Sequence, residues 1–105
     1  MVSRSFAERI RNAERLLGTV LSWPSPEVAE TLALCGYDWL LVDVGQAPID
    51  MLMAQRMLQA ARCPTLLRVA DSSAASIGRA LDIGATGVIV PGMRLAEDVE
   101  RVVAT

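Results

Sequence analysis

The chain has 105 residues, of which 52% are hydrophobic and only 4% aromatic, so it is long enough for one small domain with an aliphatic core. Ten positive and twelve negative side chains are spread along the sequence and give a net charge of −2, which argues against nucleic-acid binding. All ten positive side chains are arginine. The absence of lysine and histidine excludes a Schiff-base lysine, a histidine base and a histidine metal ligand from this chain.

Neither the cysteines nor the apolar patterning indicates secretion or membrane insertion. No stretch approaches the roughly 18 consecutive apolar residues that a membrane span needs, and the first residues contain no long apolar segment. Cys35 and Cys63 lie far from any C-x-x-C spacing, and we interpret both as small buried apolar residues, which favours a reducing compartment. The sequence therefore predicts a cytoplasmic protein.

In chain order, the sequence predicts an initial helix followed by four strand–helix units. Apolar residues at helical spacing predict helices at 6–17, 26–34 and 51–61, one that begins after residue 71, 72 or 73 and runs through 83, and a last one from about 96 onwards. Short apolar runs between them predict strands at 18–23, 39–44, 65–69 and 87–90. The predicted helix caps are Ser5, Ser25, Asp50 and one of Asp71, Ser72 and Ser73. Apolar strands without polar alternation are typical of a parallel sheet that helices cover on both faces, and they indicate an α/β fold.

One pattern occurs twice, 48 residues apart. Residues 36–43 and 84–91 each contain a glycine that ends a helix, then an apolar run, and then a residue at which the strand ends. Gly36 and Gly84 fit the position after a helix where a left-handed backbone is required. A repeat of two strand–helix units favours a regular architecture, with four parallel strands in the order 1-2-3-4 and right-handed crossovers.

We expect the catalytic and binding residues at the C-terminal ends of the strands, where parallel α/β folds place their functional sites. Arg68 interrupts an otherwise apolar strand, so its guanidinium needs either an ion pair with Asp43 or Asp82 or a bound oxyanion. Asp43 ends a buried strand, where a structural role that closes the loop through backbone N–H groups is as plausible as a functional one. From local pattern alone, Asp82 is a surface helix residue. The other candidates at these strand ends are Trp23, Gln46, Pro91, Gly92 and Arg94.

Several blocks of the sequence resemble the HpcH/HpaI aldolase/citrate lyase family. They are GYDWLLVD at 36–43, QAPID at 46–50, LRV at 67–69, LDIGA at 81–85 and VIVP at 88–91, in the family's order and over nearly the whole chain. The resemblance implies a (β/α)₈ barrel of the pyruvate/phosphoenolpyruvate type, usually homo-oligomeric. It also implies class II, metal-dependent cleavage and formation of carbon–carbon bonds between pyruvate and an aldehyde, as with 4-hydroxy-2-oxo acids and 2-keto-3-deoxy sugar acids.

The resemblance also implies roles for individual residues. A divalent cation such as Mg²⁺, Mn²⁺ or Co²⁺ stabilises the pyruvate enolate, and Arg68 stands at the position of the arginine that binds the substrate and supports its oxyanion. Asp82 stands where the family has the carboxylate that raises the basicity of its histidine. Gln46 stands at that histidine and Gly45 at a neighbouring acidic position, and an amide cannot act as a general base near neutral pH. The structural residues expected beside the site are Asp43 and Pro91.

From its length, we expect the chain to form about half of such a barrel. A complete barrel takes about 250 residues, so we expect residues 1–105 to form one partial domain, the N-terminal half-barrel. Such a chain is a truncated reading frame, an excised fragment, or a half-barrel that must associate with another copy or a complementing half. The family's metal-binding Glu and Asp belong to the other half, so the resemblance places no metal ligand in this chain.

Two functions follow from this interpretation. In the first, the chain is part of a metal-dependent pyruvate aldolase in which Gln46 orients substrate or water in place of the base. In the second, the chain is not catalytic, and it binds a small oxyanion through Arg68 or only associates with a partner subunit. An independent small α/β domain is a weaker alternative, because an unclosed sheet leaves two strand edges unpaired.

Overall fold

The computed structural model describes residues 5–105, in which helices and strands alternate along the chain. The helices are α1 (Phe6–Arg11), α2 (Pro26–Leu34), α3 (Met51–Ala61), α4 (Ala74–Asp82) and α5 (Ala96–Val103). The strands are β1 (Gly18–Leu21), β2 (Trp39–Asp43), β3 (Thr65–Arg68) and β4 (Gly87–Ile89). All four strands are parallel and lie in the order β1-β2-β3-β4, which confirms the predicted topology. No helix in this part of the chain is long and apolar enough to cross a membrane.

Polar side chains begin the first four helices at the predicted positions. Each cap accepts a hydrogen bond from the backbone N–H three residues further on, at 2.8 to 3.1 Å. The capping residues are Ser5, Ser25, Asp50 and Ser73. Gly36 and Gly84, with φ of +96° and +105°, have the left-handed backbone that the sequence predicts after α2 and α4.

The prediction of one helix over residues 6–17 is wrong beyond Arg11. The helix ends there, and Ala13 has a left-handed backbone with a φ of +54°. The carboxylate of Asp38 accepts hydrogen bonds from the Leu17 N–H at 2.9 Å and from Arg9 Nη2 at 3.1 Å. These contacts between distant parts of the chain fix the segment before β1 outside the helix, and they outweigh its local helical pattern.

The two faces of the sheet have different surroundings. On one face, Leu40, Val42 and Leu67 are fully buried. They belong to one core cluster with small and apolar residues of α2, α3 and α4, which are Ala29, Ala54, Met57, Ala61 and Ala80. We call this the covered face. Because side chains alternate along a strand, the residues between these positions point the other way and form the open face.

On the open face, one row of register partners crosses the whole sheet, and its members are Val20, Leu41, Leu66 and Gly87. None of these residues belongs to the core cluster. Leu41 in the middle is 4% exposed, whereas Val20 on one edge strand is 51% exposed and Ile89 on the other is 38% exposed. The shortest extent of the molecule is 20 Å, which corresponds to one sheet and one layer of helices. Within residues 5–105, helices therefore cover one face of the sheet, and the expectation that they cover both faces is wrong.

The repeat in the sequence is also a repeat in the strand pairing. Gly18 pairs with Trp39 between β1 and β2, and Leu66 pairs with Gly87 between β3 and β4. Both members of the second pair lie 48 residues after their counterparts in the first, which is the spacing of the sequence repeat. The β1–β2 and β3–β4 pairs are thus two copies of one unit with the same register.

The interpretation of both cysteines as buried is wrong for Cys35. This residue caps the C-terminus of α2 and is exposed, as is Leu34 before it. Cys63 is half-buried and packs against the core cluster, and burial raises the pKa of its thiol. The signal for burial was apolar character alone. In the last turn of α2, Leu32 and Ala33 pack against the core cluster, whereas Leu34 and Cys35 after them are exposed.

Candidate functional site at the C-terminal edge of the sheet

A charged pair ends two neighbouring strands on the open face. Asp43 and Arg68 are register partners at the ends of β2 and β3, and Arg68 Nη1 donates to Asp43 Oδ2 at 3.0 Å. The side chain of Asp43 is 8% exposed and that of Arg68 is 32% exposed. Of the two ion-pair partners that the sequence left open for Arg68, the structure selects Asp43.

The same carboxylate also fixes the loop that follows β2. The backbone N–H of Gln46 donates to Asp43 Oδ1 at 3.0 Å, so one buried side chain joins the arginine to the loop. The N–H groups of Val44 and Gly45 both donate to the Arg68 carbonyl, at 3.1 and 3.0 Å. Asp43 thus has the loop-closing role that was one of its two predicted roles, and Asp43, Gln46 and Arg68 lie together at this edge.

Gly45 lies where no side chain fits without a shift of the backbone. A Cβ built on this residue would lie 2.9 Å from the carbonyl oxygen of Val69, closer than real Cβ contacts. The loop therefore approaches the chain after β3 only because residue 45 lacks a side chain. An acidic residue at this position requires a different loop path. The sequence shows glycine where the resemblance implies an acid, but no sequence pattern predicts this close approach.

Arg68 retains hydrogen-bonding capacity beyond its ion pair. A guanidinium carries five N–H donors, and within residues 5–105 the hydrogen bond to Asp43 is the one that engages this side chain. The remaining donors can bind the oxygens of a carboxylate in the fork geometry that arginine favours. Asp43 holds the guanidinium in place, so an anion that binds here meets a pre-oriented donor.

The exposed Gln46 side chain can donate or accept a hydrogen bond beside this pair but cannot take up a proton near neutral pH. Among the described residues, no group of three or more cysteine, histidine, aspartate or glutamate side chains could hold a metal ion. The one carboxylate at the pair, Asp43, already accepts from Arg68 and from the loop. The chemistry available to these residues is therefore anion binding and orientation.

Among residues 5–105, no hydrogen bond or ion pair links the remaining predicted residues to the Arg68–Asp43 pair. Asp82 is the exposed last residue of α4, which runs from the C-terminal edge of the sheet back to the start of β4. Asp82 therefore lies at the opposite edge from Arg68, and the predicted alternative of an ion pair between them is wrong. Pro91 follows β4 at the same edge as Arg68 and is exposed, and Trp23 and Arg94 are also exposed.

Comparison with known proteins agrees with the resemblance in the sequence. The model of the HpcH/HpaI aldolase/citrate lyase family matches residues 18–105. The chain is 40% identical to a 2-dehydro-3,6-dideoxy-6-sulfogluconate aldolase of Pseudomonas putida, over 84% of this chain and 36% of that protein. It is 36% identical to a hydroxypyruvate/pyruvate aldolase of Paraburkholderia phytofirmans, over 90% of this chain and 38% of that protein.

A solved structure shows the same arrangement of helices and strands. The crystal structure of an HpcH/HpaI aldolase/citrate lyase family protein from Burkholderia cenocepacia superposes with a TM-score of 0.83 at 33% identity. The superposition covers 91% of this chain and 40% of that one. The chain thus spans well under half the length of the proteins that it matches.

Proposed function

Because the chain belongs to the HpcH/HpaI aldolase/citrate lyase family, we propose that it forms the part of a carbon–carbon lyase that binds the 2-oxo acid. In this proposal the whole protein is a (β/α)₈ barrel that cleaves a 4-hydroxy-2-oxo acid or a 2-keto-3-deoxy sugar acid into pyruvate and an aldehyde. The two similar aldolases above, one named for a deoxy sugar acid and one for pyruvate, support this substrate class. The chain itself contributes Arg68 and the loop that Asp43 fixes.

The observation that carries the proposal is the half-buried Arg68, which a buried carboxylate orients at the C-terminal edge of the sheet. This is the edge at which parallel α/β folds bind their ligands. The guanidinium would hold an oxygen of the 2-oxo acid and stabilise the negative charge that develops on it. Gln46 would orient the substrate or a water molecule without proton transfer.

The family is generally dependent on a divalent metal ion, which polarises the 2-oxo acid and stabilises its enolate. The described residues do not fit such an ion, because they provide no cluster of ligands and the carboxylate at the pair is already engaged. We therefore propose that the metal ligands come from outside these residues. The roles proposed for Arg68, Asp43 and Gln46 are binding and orientation only.

A second candidate function is binding without catalysis. The glutamine at position 46, where the family has its histidine, favours it, because this side chain cannot move a proton. The chain would then bind a small oxyanion through Arg68 or associate with a partner subunit. The two candidates differ in one respect, which is whether turnover appears once a base and metal ligands are supplied.

Calorimetric titration of pyruvate into the 105-residue chain tests the proposed role of Arg68. A hydrogen bond to a charged group contributes about 1.5–3 kcal/mol, so Arg68→Ala should weaken binding about 10- to 100-fold. The affinity of Arg68→Lys for pyruvate should lie between those of the wild type and Arg68→Ala. Lysine keeps the positive charge but lacks the planar guanidinium that donates two parallel hydrogen bonds. Arg56→Ala, on the exposed side of α3, is the matched control and should bind like the wild type. Wild-type affinity in a folded Arg68→Ala variant would contradict the proposal.

A further inference from the structure

Ser22 lies in the same row of the sheet as Asp43 and Arg68, one residue after β1. Leu21 is the register partner of Val42, and Asp43 is the register partner of Arg68. The same register, continued by one residue beyond β1, brings Ser22 beside Asp43. Leu21 belongs to the core cluster on the covered face, so side-chain alternation directs Ser22 to the open face. Ser22, Asp43 and Arg68 therefore follow one another across the C-terminal end of the open face.

The guanidinium of Arg68 extends toward Ser22. It reaches from β3 to β2, where it donates to Asp43 at 3.0 Å, and β1 is the next strand beyond β2. Neighbouring strands lie about 4.8 Å apart, so about one strand spacing separates this guanidinium from the position of Ser22. On the other side, the register partner of Arg68 is Ile89 of β4. Within this row, a polar part of a ligand finds a hydroxyl on the β1 side and an apolar side chain on the β4 side.

The hydroxyl of Ser22 has no structural role among residues 5–105. Ser22 is exposed, and its side chain makes no hydrogen bond in this part of the chain. In contrast, the hydroxyls of Ser25 and Ser73 cap α2 and α4, and that of Thr65 donates to a backbone carbonyl. A hydroxyl can donate one hydrogen bond and accept two. Ser22 therefore keeps its full hydrogen-bonding capacity for a ligand.

We propose that Ser22 is a specificity-determining residue, which binds a hydroxyl group in the part of the substrate that becomes the aldehyde. This inference rests on the proposed function, in which Arg68 holds the 2-oxo acid end. In a 2-keto-3-deoxy sugar acid, carbon 3 carries no hydroxyl, whereas several carbons beyond it do. With the 2-oxo acid at Arg68, these carbons extend along the row past Asp43 to Ser22.

This role of Ser22 selects between the two substrate classes of the proposed function. A sugar acid presents hydroxyls beyond its fourth carbon, whereas a 4-hydroxy-2-oxo acid with an alkyl chain presents none there. A site that forms a hydrogen bond with a substrate hydroxyl disfavours the analogue that lacks it. Because Ser22 is exposed, water replaces a lost partner, and the preference should amount to about 2- to 10-fold. Ser22 therefore favours a polyhydroxylated substrate.

Calorimetric titrations of the full 105-residue chain test this proposal with three 2-oxo acids. They are pyruvate, 2-keto-3-deoxygluconate, and 2-oxohexanoate, which has the same number of carbons as the sugar acid but no hydroxyls. Ser22→Ala should weaken the binding of 2-keto-3-deoxygluconate about 2- to 10-fold and leave the affinities for the other two unchanged. Ser22→Thr, which keeps a hydroxyl, should bind like the wild type. The matched control is Thr31→Val, which removes an exposed hydroxyl from α2 behind the covered face and should change no affinity.

Amide chemical shifts of the wild-type chain give a second measurement that needs no variant at Ser22. The sugar acid should shift the amides of Ser22 and Trp23, pyruvate should shift neither, and Trp39 at the opposite edge of the sheet should not respond. Unchanged affinity of Ser22→Ala for the sugar acid, or no shift at Ser22, would overturn this inference while pyruvate binding at Arg68 stands. Absence of pyruvate binding, or pyruvate binding that Arg68→Ala does not weaken, would overturn the proposed function and this inference with it.

Discussion

The covered and open faces of the sheet consist of the same strands, yet they differ in almost every other respect. The covered face contains fully buried aliphatic side chains packed against α2, α3 and α4. The open face has an apolar middle row, exposed residues on its edges, and the Arg68–Asp43 pair at its C-terminal end. One face therefore accounts for the stability of the fold, and the other holds the groups available for binding and association.

The largest expected effect concerns chemistry on the open face. We predict that the chain alone, with Mg²⁺ or Mn²⁺, shows no measurable release of pyruvate from a 2-keto-3-deoxy sugar acid. Mixed with the C-terminal half of an active relative, Gln46→His should raise the rate about 10²- to 10⁴-fold, since this is the usual contribution of a general base. Arg68→Ala in that background should abolish turnover.

The control for this experiment is Gln59→His, which adds the same imidazole at an exposed position on α3 and should not change the rate. Coupled detection of pyruvate measures all of these variants. Robust turnover by the unmodified chain alone would contradict the account of the site. No turnover with either glutamine or histidine at position 46 in the complemented protein would favour binding without catalysis.

The next largest effect compares how much the covered face and the open face contribute to the free energy of unfolding. Leu67 and Leu66 are neighbours on β3 that point to opposite faces, and only Leu67 is fully buried. Leu67→Ala should lower the free energy of unfolding by about 2–5 kcal/mol, because it leaves a cavity in the core. Leu66→Ala should lower the free energy of unfolding clearly less. Urea titrations at low protein concentration measure both variants. Equal costs would show that the open face is packed as tightly as the covered one.

A smaller effect tests the close approach of the loop after β2. Gly45→Ala should destabilise the chain by about 1–3 kcal/mol, because the new Cβ meets the Val69 carbonyl. Gly78→Ala, within α4 and with open space around its Cα, is the control and should stabilise by about 0.5–1 kcal/mol. Thermal unfolding measures both variants. A neutral Gly45→Ala would mean that the loop is free to move.

The smallest effect concerns pH and lies away from both faces. The Leu17 N–H and the Arg9 guanidinium lower the pKa of Asp38. A carboxylate with a lowered pKa stabilises the fold above its ordinary pKa, and this contribution is lost as the pH falls through the folded-state value. Asp38→Asn should therefore reduce the loss of stability on acidification below about pH 4. Identical acid-unfolding curves for wild type and variant would contradict this role.

Local signals predicted most of the fold. Asp50 and the apolar spacing after it gave the bounds of α3 correctly, because cap and periodicity lie within the helix itself. The end of α1 was not predicted, since it depends on Asp38, which lies 29 residues from Arg9 along the chain. The exposure of Cys35 depends on which side of α2 faces the core, because Leu32 and Ala33 beside it pack against the core cluster. Each error therefore depends on how a helix or its end packs against the rest of the chain.

The candidate site was predictable in part for the same reason. An arginine in an apolar strand requires an anionic partner, and the end of the neighbouring strand supplied Asp43. From the sequence, Asp82 is an equally acceptable ion-pair partner for Arg68, because the residues that face each other across a sheet cannot be derived from spacing alone. The need for glycine at position 45 comes from the Val69 carbonyl, a backbone group that no sequence pattern identifies.

We propose above that the Arg68–Asp43 end of the open face binds a 2-oxo acid. Titration of pyruvate into the ¹⁵N-labelled chain, followed by amide chemical shifts, tests this binding. We expect saturable shifts confined to the ends of β2 and β3 and the loop through Gln46, and we expect their loss in Arg68→Ala. Saturable shifts centred instead on the cavity that Glu30 and Arg62 line between α2 and α3, or none at all, would contradict it.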